Sequence, residues 1–193
     1  MKELFIKEKL MENFSKEEIE KYMREAFKEC EKAIKEGEVP VGCIFLHIPS
    51  KTILYGSHNL TNKTKNAASH CEINCIKYFE KNLPIKINEN SFFDLKQLMN
   101  ESALFVSCEP CIMCAYALSL INIKEVYFGC SNDKFGGNGS IISINKFHKW
   151  IYKSQGGFLK DEAIEYLRNF YIVGNKRAPE KKRQRKLIQD KNE

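Results

Sequence analysis

Three residues of the 193-residue chain have the types and spacing to hold a metal ion: His70, Cys111 and Cys114. Zinc takes imidazole nitrogen or thiolate sulfur in a tetrahedron, and a catalytic zinc keeps its fourth corner open to water. Cys111 and Cys114 stand one helical turn apart, so both sulfurs can converge on one ion, and a helix N-terminus favours the thiolate form. Glu72, two residues after His70, is the acid left unassigned at such a site. Taken alone, Cys111-x-x-Cys114 also fits a structural zinc half-site or a redox dithiol. Cys108-x-x-Cys111-x-x-Cys114 copies the first three positions of a ferredoxin-type run, but Leu118 and Ser119 stand where its fourth cysteine and proline belong. Cys108 therefore reads as a strand-end core residue.

Two helix starts must be brought together to assemble such a site. Ser15 and Glu18 form a capping-box pattern, followed at helical spacing by Ile19, Tyr22, Met23, Ala26, Phe27, Cys30, Ala33 and Ile34, with Gly37 as terminator. Val41 to Ile48 and Thr52 to Tyr55 read as a hairpin around Pro49-Ser50. A polar loop with Asn59 leads to a helix predicted from Ala68 to Asn82, with Ile73, Ile76 and Phe79 inward and His70 and Glu72 in its first turn. Pro84 to Ser102 reads as an inserted connection with a short helix at Phe92 to Met99. Leu104 to Val106 is a buried strand, and Glu109-Pro110 opens a helix running to Ile121. A strand at Val126 to Gly129, a glycine-rich loop at Asp133 to Ser140 and a helix at Asp161 to Tyr171 complete the pattern. Strands alternating with helices predict an α/β sheet covered on both faces.

Composition bounds the class. Hydrophobic residues make 43% and charged residues 29%, with 5 Pro and 10 Gly, which excludes collagen-like, mucin-like and wholly disordered chains. The length suits one domain, expected over 15–174, with a basic tail over 175–193. No stretch approaches the roughly 18 consecutive apolar residues of a membrane span, and the charged start does not read as a signal peptide. The expectation is a cytoplasmic or nuclear protein, neither secreted nor membrane-bound. In a reducing compartment eight cysteines point to metal or chemistry rather than disulfides. Of the formal charge of +6, Asn175 to Glu193 carries eight Lys or Arg against three Asp or Glu, a net of +5. Lys181, Lys182, Arg183, Arg185 and Lys186 fit a nuclear import signal, a solvated face or a nucleic-acid arm; RNA contact through phosphate neutralisation is the expectation. His47, His58, His148, Cys30, Cys43, Cys75 and Cys130 default to packing or solvent.

His70-x-Glu72 together with Pro110-Cys111-x-x-Cys114 is the signature of the zinc nucleobase deaminases. With Glu38-Val39-Pro40-Val41-Gly42, His58-Asn59, Glu109 to Ala115, and Gly129-Cys130-x-Asn132-Asp133-x-Phe135-Gly136-Gly137 in order, the chain resembles the deaminase superfamily. Within it the chain is similar to the tRNA adenosine deaminases acting on the wobble base. The Phe135 to Ser140 loop and the basic tail resemble the catalytic subunit of the eukaryotic two-subunit form. Two departures stand out: Cys71, where the family usually has alanine, and the longer Pro84 to Ser102 connection.

The resemblance implies a three-layer α/β/α cytidine-deaminase-like fold with a mixed sheet of about five strands. It implies Zn2+ held by His70, Cys111 and Cys114, with Glu72 moving protons. Asn59 would bond the purine, Cys71 would lend its backbone near the base, and the main chain near Pro110 would accept from the leaving amine. The implied reaction turns adenosine into inosine in tRNA. The implied partner is a paralogous, catalytically inactive subunit, with a homodimer as the alternative. Deamination of free cytidine or deoxycytidylate, and a non-catalytic zinc-containing RNA-binding module, are the competing functions.

Overall fold

The computed structural model describes residues 13–88, 91–147 and 151–173. Helix α1 spans Lys16–Glu36, opened by the reciprocal Ser15/Glu18 capping box and closed by Gly37 in the left-handed region, whose N–H reaches the carbonyls of Ala33 and Ile34. Ile19, Tyr22, Met23, Ala26, Phe27, Cys30 and Ala33 are buried as the spacing predicts, while Ile34 falls outside the stripe and is exposed. Strands β1 (Gly42–His47) and β2 (Thr52–His58) form the expected antiparallel hairpin, with β2 running beyond Tyr55 to deliver His58 and Asn59 to the far end of the sheet. A short helix α2 (Thr61–Thr64) leads to α3 (Cys71–Lys81).

Three segments depart from the sequence expectation. Helix α3 begins at Cys71 rather than Ala68, because His70 is its N-cap in an extended conformation. The inserted connection contains a hairpin of β3 (Ile85–Asn88) and β4 (Ser91–Phe93), and its helix α4 is Leu95–Asn100, set by a capping box between Asp94 and Gln97. The helix α5 after β5 (Ser102–Cys108) is Ile112–Leu120, so Pro110 lies before the helix and Cys111 is the N-cap. Strand β6 (Glu125–Cys130), helix α6 (Ile144–Phe147), strand β7 (Lys153–Gly156) and helix α7 (Lys160–Val173) follow. Sequence periodicity does not find β7, because Lys-Ser-Gln-Gly at a sheet edge carries no apolar alternation.

The sheet order is β2-β1-β5-β6-β7, antiparallel on the β1 side and parallel from β5 through β7. Successive side chains of a strand face opposite ways, so both faces need cover. Ile44, Leu46, Phe105 and Tyr127 meet Phe14, Tyr22, Met23 and Phe27 from the α1 side, joined by Phe158 and Ala163 beside α7. Cys43, Phe45, Leu104, Val106, Val126 and Phe128 meet Cys71, Cys75, Phe79 and Leu118 from α3 and α5. This is the α/β/α mixed sheet of five strands that the resemblance implies. Helix α1 lies close on β1: a Cβ at Gly42 would come within 2.6 Å of the Ala26 carbonyl oxygen. The basic tail and His148 lie outside the described residues. Among the described residues no helix is long and apolar enough to cross a membrane.

Candidate active site

The C-terminal end of β5, the C-terminal end of β2 and the starts of α3 and α5 meet at one end of the sheet, because β1 pairs antiparallel with both β2 and β5. His70 and Cys111 are the N-caps of α3 and α5, and Cys114 lies three residues into α5. Both caps have extended backbone, and neither side chain bonds its own helix. They turn toward each other instead. Cys111 Sγ lies 3.5 Å and Cys114 Sγ 3.6 Å from His70 Nδ1. The three donor atoms all lie within 4.8 Å of one another.

That donor set fits zinc. Bonds of about 2.3 Å to sulfur and about 2.05 Å to nitrogen at the tetrahedral angle separate the two atoms by about 3.6 Å, which is the spacing found. The thiols are already polarised against each other. Donation from Cys114, then from His70, pulls Cys111 down to about 4, while the same contact with Cys111 and its burial hold Cys114 well above the ordinary thiol range. The bond with Cys111 in turn raises His70.

Glu72 follows in the first turn of α3 and is buried, and loss of solvation raises its carboxyl above the usual carboxylate range. Its Oε2 accepts from the Cys71 thiol at 3.2 Å. Asn59, also buried, accepts the Cys71 N–H on Oδ1 at 3.0 Å, which ties the end of β2 to the start of α3. Its Nδ2 edge has no protein partner among the described residues. The main-chain N–H of Cys71 is thus already engaged, and its side chain is fully buried. The Pro110 carbonyl accepts from Gly137 N–H at 2.9 Å, with one lone pair to spare.

Sequence reasoning gives Glu109 no role of its own. Its buried carboxylate accepts from the N–H groups of Asn132 at 2.9 Å, Asn138 at 2.9 Å and Ser140 at 3.1 Å, and from the Ser140 hydroxyl. One side chain thereby pins the glycine-rich loop against the start of α5, where Ile112 N–H bonds the Phe135 carbonyl. The loop comes so near that a Cβ at Gly136 would lie 2.6 Å from Glu109 Oε1, and one at Gly137 2.6 Å from the Ala115 methyl. An acid directly before Pro110-Cys111, with glycines downstream, is the local signal that could have found it. Cys108 ends β5 opposite Cys130 and stays outside the three-donor cluster, as its strand-end reading expects. Phe135 in the glycine-rich loop is 63% exposed, whereas Phe158 is buried in the core.

Residues 16–130, which contain this whole cluster, match the cytidine and deoxycytidylate deaminase zinc-binding region. The chain belongs to the cytidine and deoxycytidylate deaminase family. Within that family it groups with the tRNA-specific adenosine deaminases. It is 35% identical over 173 residues to the tRNA-specific adenosine deaminase 2 of Danio rerio, covering 87% of this chain and 77% of the relative. It is 35% identical over 172 residues to the tRNA-specific adenosine deaminase subunit tad2 of Schizosaccharomyces pombe, covering 87% of this chain and 41% of that longer one. A solved structure from work on A-to-I editing by tRNA:A34 deaminases superposes with a TM-score of 0.60 at 24% identity, over 76% of this chain and 98% of that one. That likeness concerns the deaminase fold, and the sequence relatives carry the finer grouping.

Proposed function

We propose that this chain is a zinc-dependent hydrolase that converts adenosine to inosine at the wobble position of tRNA anticodons. The observation that carries the reading is the buried Glu72 carboxyl in the first turn after His70, itself one of a three-donor cluster of zinc geometry. The tRNA-specific adenosine deaminases similar to it over most of its length support the choice of substrate. When bound by His70, Cys111 and Cys114, zinc supplies Lewis acidity and brings the pKa of water from 15.7 toward about 7.

Glu72 carries the protons. Its carboxyl takes one from the attacking water, delivers it to adenine N1 as the C6–O bond forms, and helps protonate the departing ammonia. Burial suits it to both duties, since a raised carboxyl holds a proton more readily than a surface acid. The Asn59 Nδ2 edge is available to a purine acceptor, and the second lone pair of the Pro110 carbonyl to the exocyclic amine. Cys71, whose N–H and thiol are both turned inward, acts on its neighbours rather than on the base. A wobble base lies in an unstacked loop and can be drawn into the site without melting a duplex.

The working unit is a dimer with a paralogous subunit that lacks the catalytic glutamate. The word subunit in the name of the S. pombe relative supports an assembly of more than one chain. So does the exposed apolar face of α5, with Ile112, Met113, Tyr116 and Leu120, next to exposed Phe135, Ile141 and Ile142. The tail over 175–193 adds phosphate contacts. The test is to incubate the purified chain, with and without its copurifying partner, with tRNA and with free nucleosides. Inosine formed only in tRNA is expected; uridine from free cytidine would reject this substrate assignment. A cytoplasmic or nuclear site of action fits the tRNA-specific adenosine deaminases that this chain resembles.

A further inference from the structure

We propose that the Cys71 thiol positions the proton carrier Glu72, donating its S–H to one carboxylate oxygen so that the other faces the reacting water. The proposal rests on Glu72 being the acid and base of the deamination. Cys71 Sγ lies 3.2 Å from Glu72 Oε2, with Cys71 fully buried and Glu72 3% exposed. A buried carboxylate is costly without donors, and a thiol is a weak donor that counts only where water is kept out. Both conditions hold here.

The direction of the S–H follows from its place in the fold. Cys30, in the middle of α1, turns its thiol back to the Ala26 carbonyl four residues earlier. Cys71 is the first residue of α3, so no helical carbonyl precedes it and its proton is left for the carboxylate. The surroundings hold the side chain in that orientation. Its backbone N–H is fixed by Asn59 Oδ1 at 3.0 Å. Its side chain packs in the same buried cluster as Cys43 of β1. Cys43 Sγ in turn lies 3.7 Å from Cys75 Sγ, one turn further along α3. These buried thiols fill the space between the sheet and α3 beneath Glu72.

The test uses the full zinc-loaded chain in two measurements. In infrared difference spectra, the S–H stretching band that disappears in Cys71→Ala is expected at the low wavenumber of a bonded thiol, and to rise in Glu72→Ala. In tRNA turnover, Cys71→Ala is expected to lower kcat about 3- to 10-fold, with KM for tRNA and zinc content unchanged, and Cys71→Ser to recover most of the loss. A band unmoved by Glu72→Ala, equal losses in the alanine and serine variants, or a loss confined to KM would each overturn the positioning role. A chain inert on tRNA that still shows the Glu72-sensitive band would uphold the hydrogen bond and refute the substrate assignment instead.

Discussion

His70 and Cys111 hold matching places at the N-caps of α3 and α5, and their donor atoms meet 3.5 Å apart instead of capping the helices that they begin. The positive end of the α5 dipole favours thiolate at Cys111 and Cys114, and thiolate sulfur beside the imidazole is what can gather a cation between the two helix starts.

Glu72→Gln keeps the size and burial of the side chain and removes its proton chemistry. Zinc content and thermal unfolding are expected to stay as in the parent chain, while inosine formation falls by about 100- to 10,000-fold. Elemental analysis beside a tRNA deamination assay checks both halves.

Cys111→Ser replaces the thiolate donor by a hydroxyl that does not ionise near neutral pH. Zinc affinity is expected to fall by more than about 100-fold, as measured by competition with a chromogenic chelator. His70→Ala should behave alike, whereas Cys108→Ser, outside the cluster, should leave affinity within about twofold of the parent.

Glu109→Ala strips acceptors from three backbone N–H groups and the Ser140 hydroxyl at once. The expected cost is about 2–4 kcal/mol, read from chemical denaturation. Amide exchange should quicken selectively over residues 132–140.

Gly42→Ala sets a methyl against the Ala26 carbonyl and the Cys30 nitrogen, at 2.6 and 2.7 Å. Prying α1 from β1 is expected to cost about 1–3 kcal/mol. The site is at the other face of the sheet, so zinc affinity should be preserved in the folded fraction.

Deleting residues 176–193 removes the +5 excess of the tail. Binding to tRNA is expected to weaken and its logarithmic salt slope to flatten, by about 0.7–0.9 for each phosphate that the tail neutralises. Fluorescence anisotropy at several salt concentrations measures the slope.

Helix α1 was legible from end to end because its cap, its stripe and its terminating glycine are local signals that no distant contact overrides. The three-donor cluster of His70, Cys111 and Cys114 was legible for a related reason: donor atoms are given by side-chain chemistry, and the short spacings place them on helix starts. Strand β7 was not, since a polar edge strand takes its conformation from the hydrogen bonds that β6 offers. The start of α3 was misplaced by three residues because nothing local tells a histidine within a helix from one that caps it.

The sequence by itself determined the chemistry available: one imidazole, two thiols and one acid, in an order shared with a deaminase family. Only the tertiary structure decided that β1 runs antiparallel to both β2 and β5, which brings Asn59, Cys71 and Cys111 to one end of the sheet. The same holds for Glu109, whose carboxylate closes on a loop more than twenty residues away. Residue types act at their own positions, but a distance between remote segments depends on strand order and register, which packing of the whole chain selects.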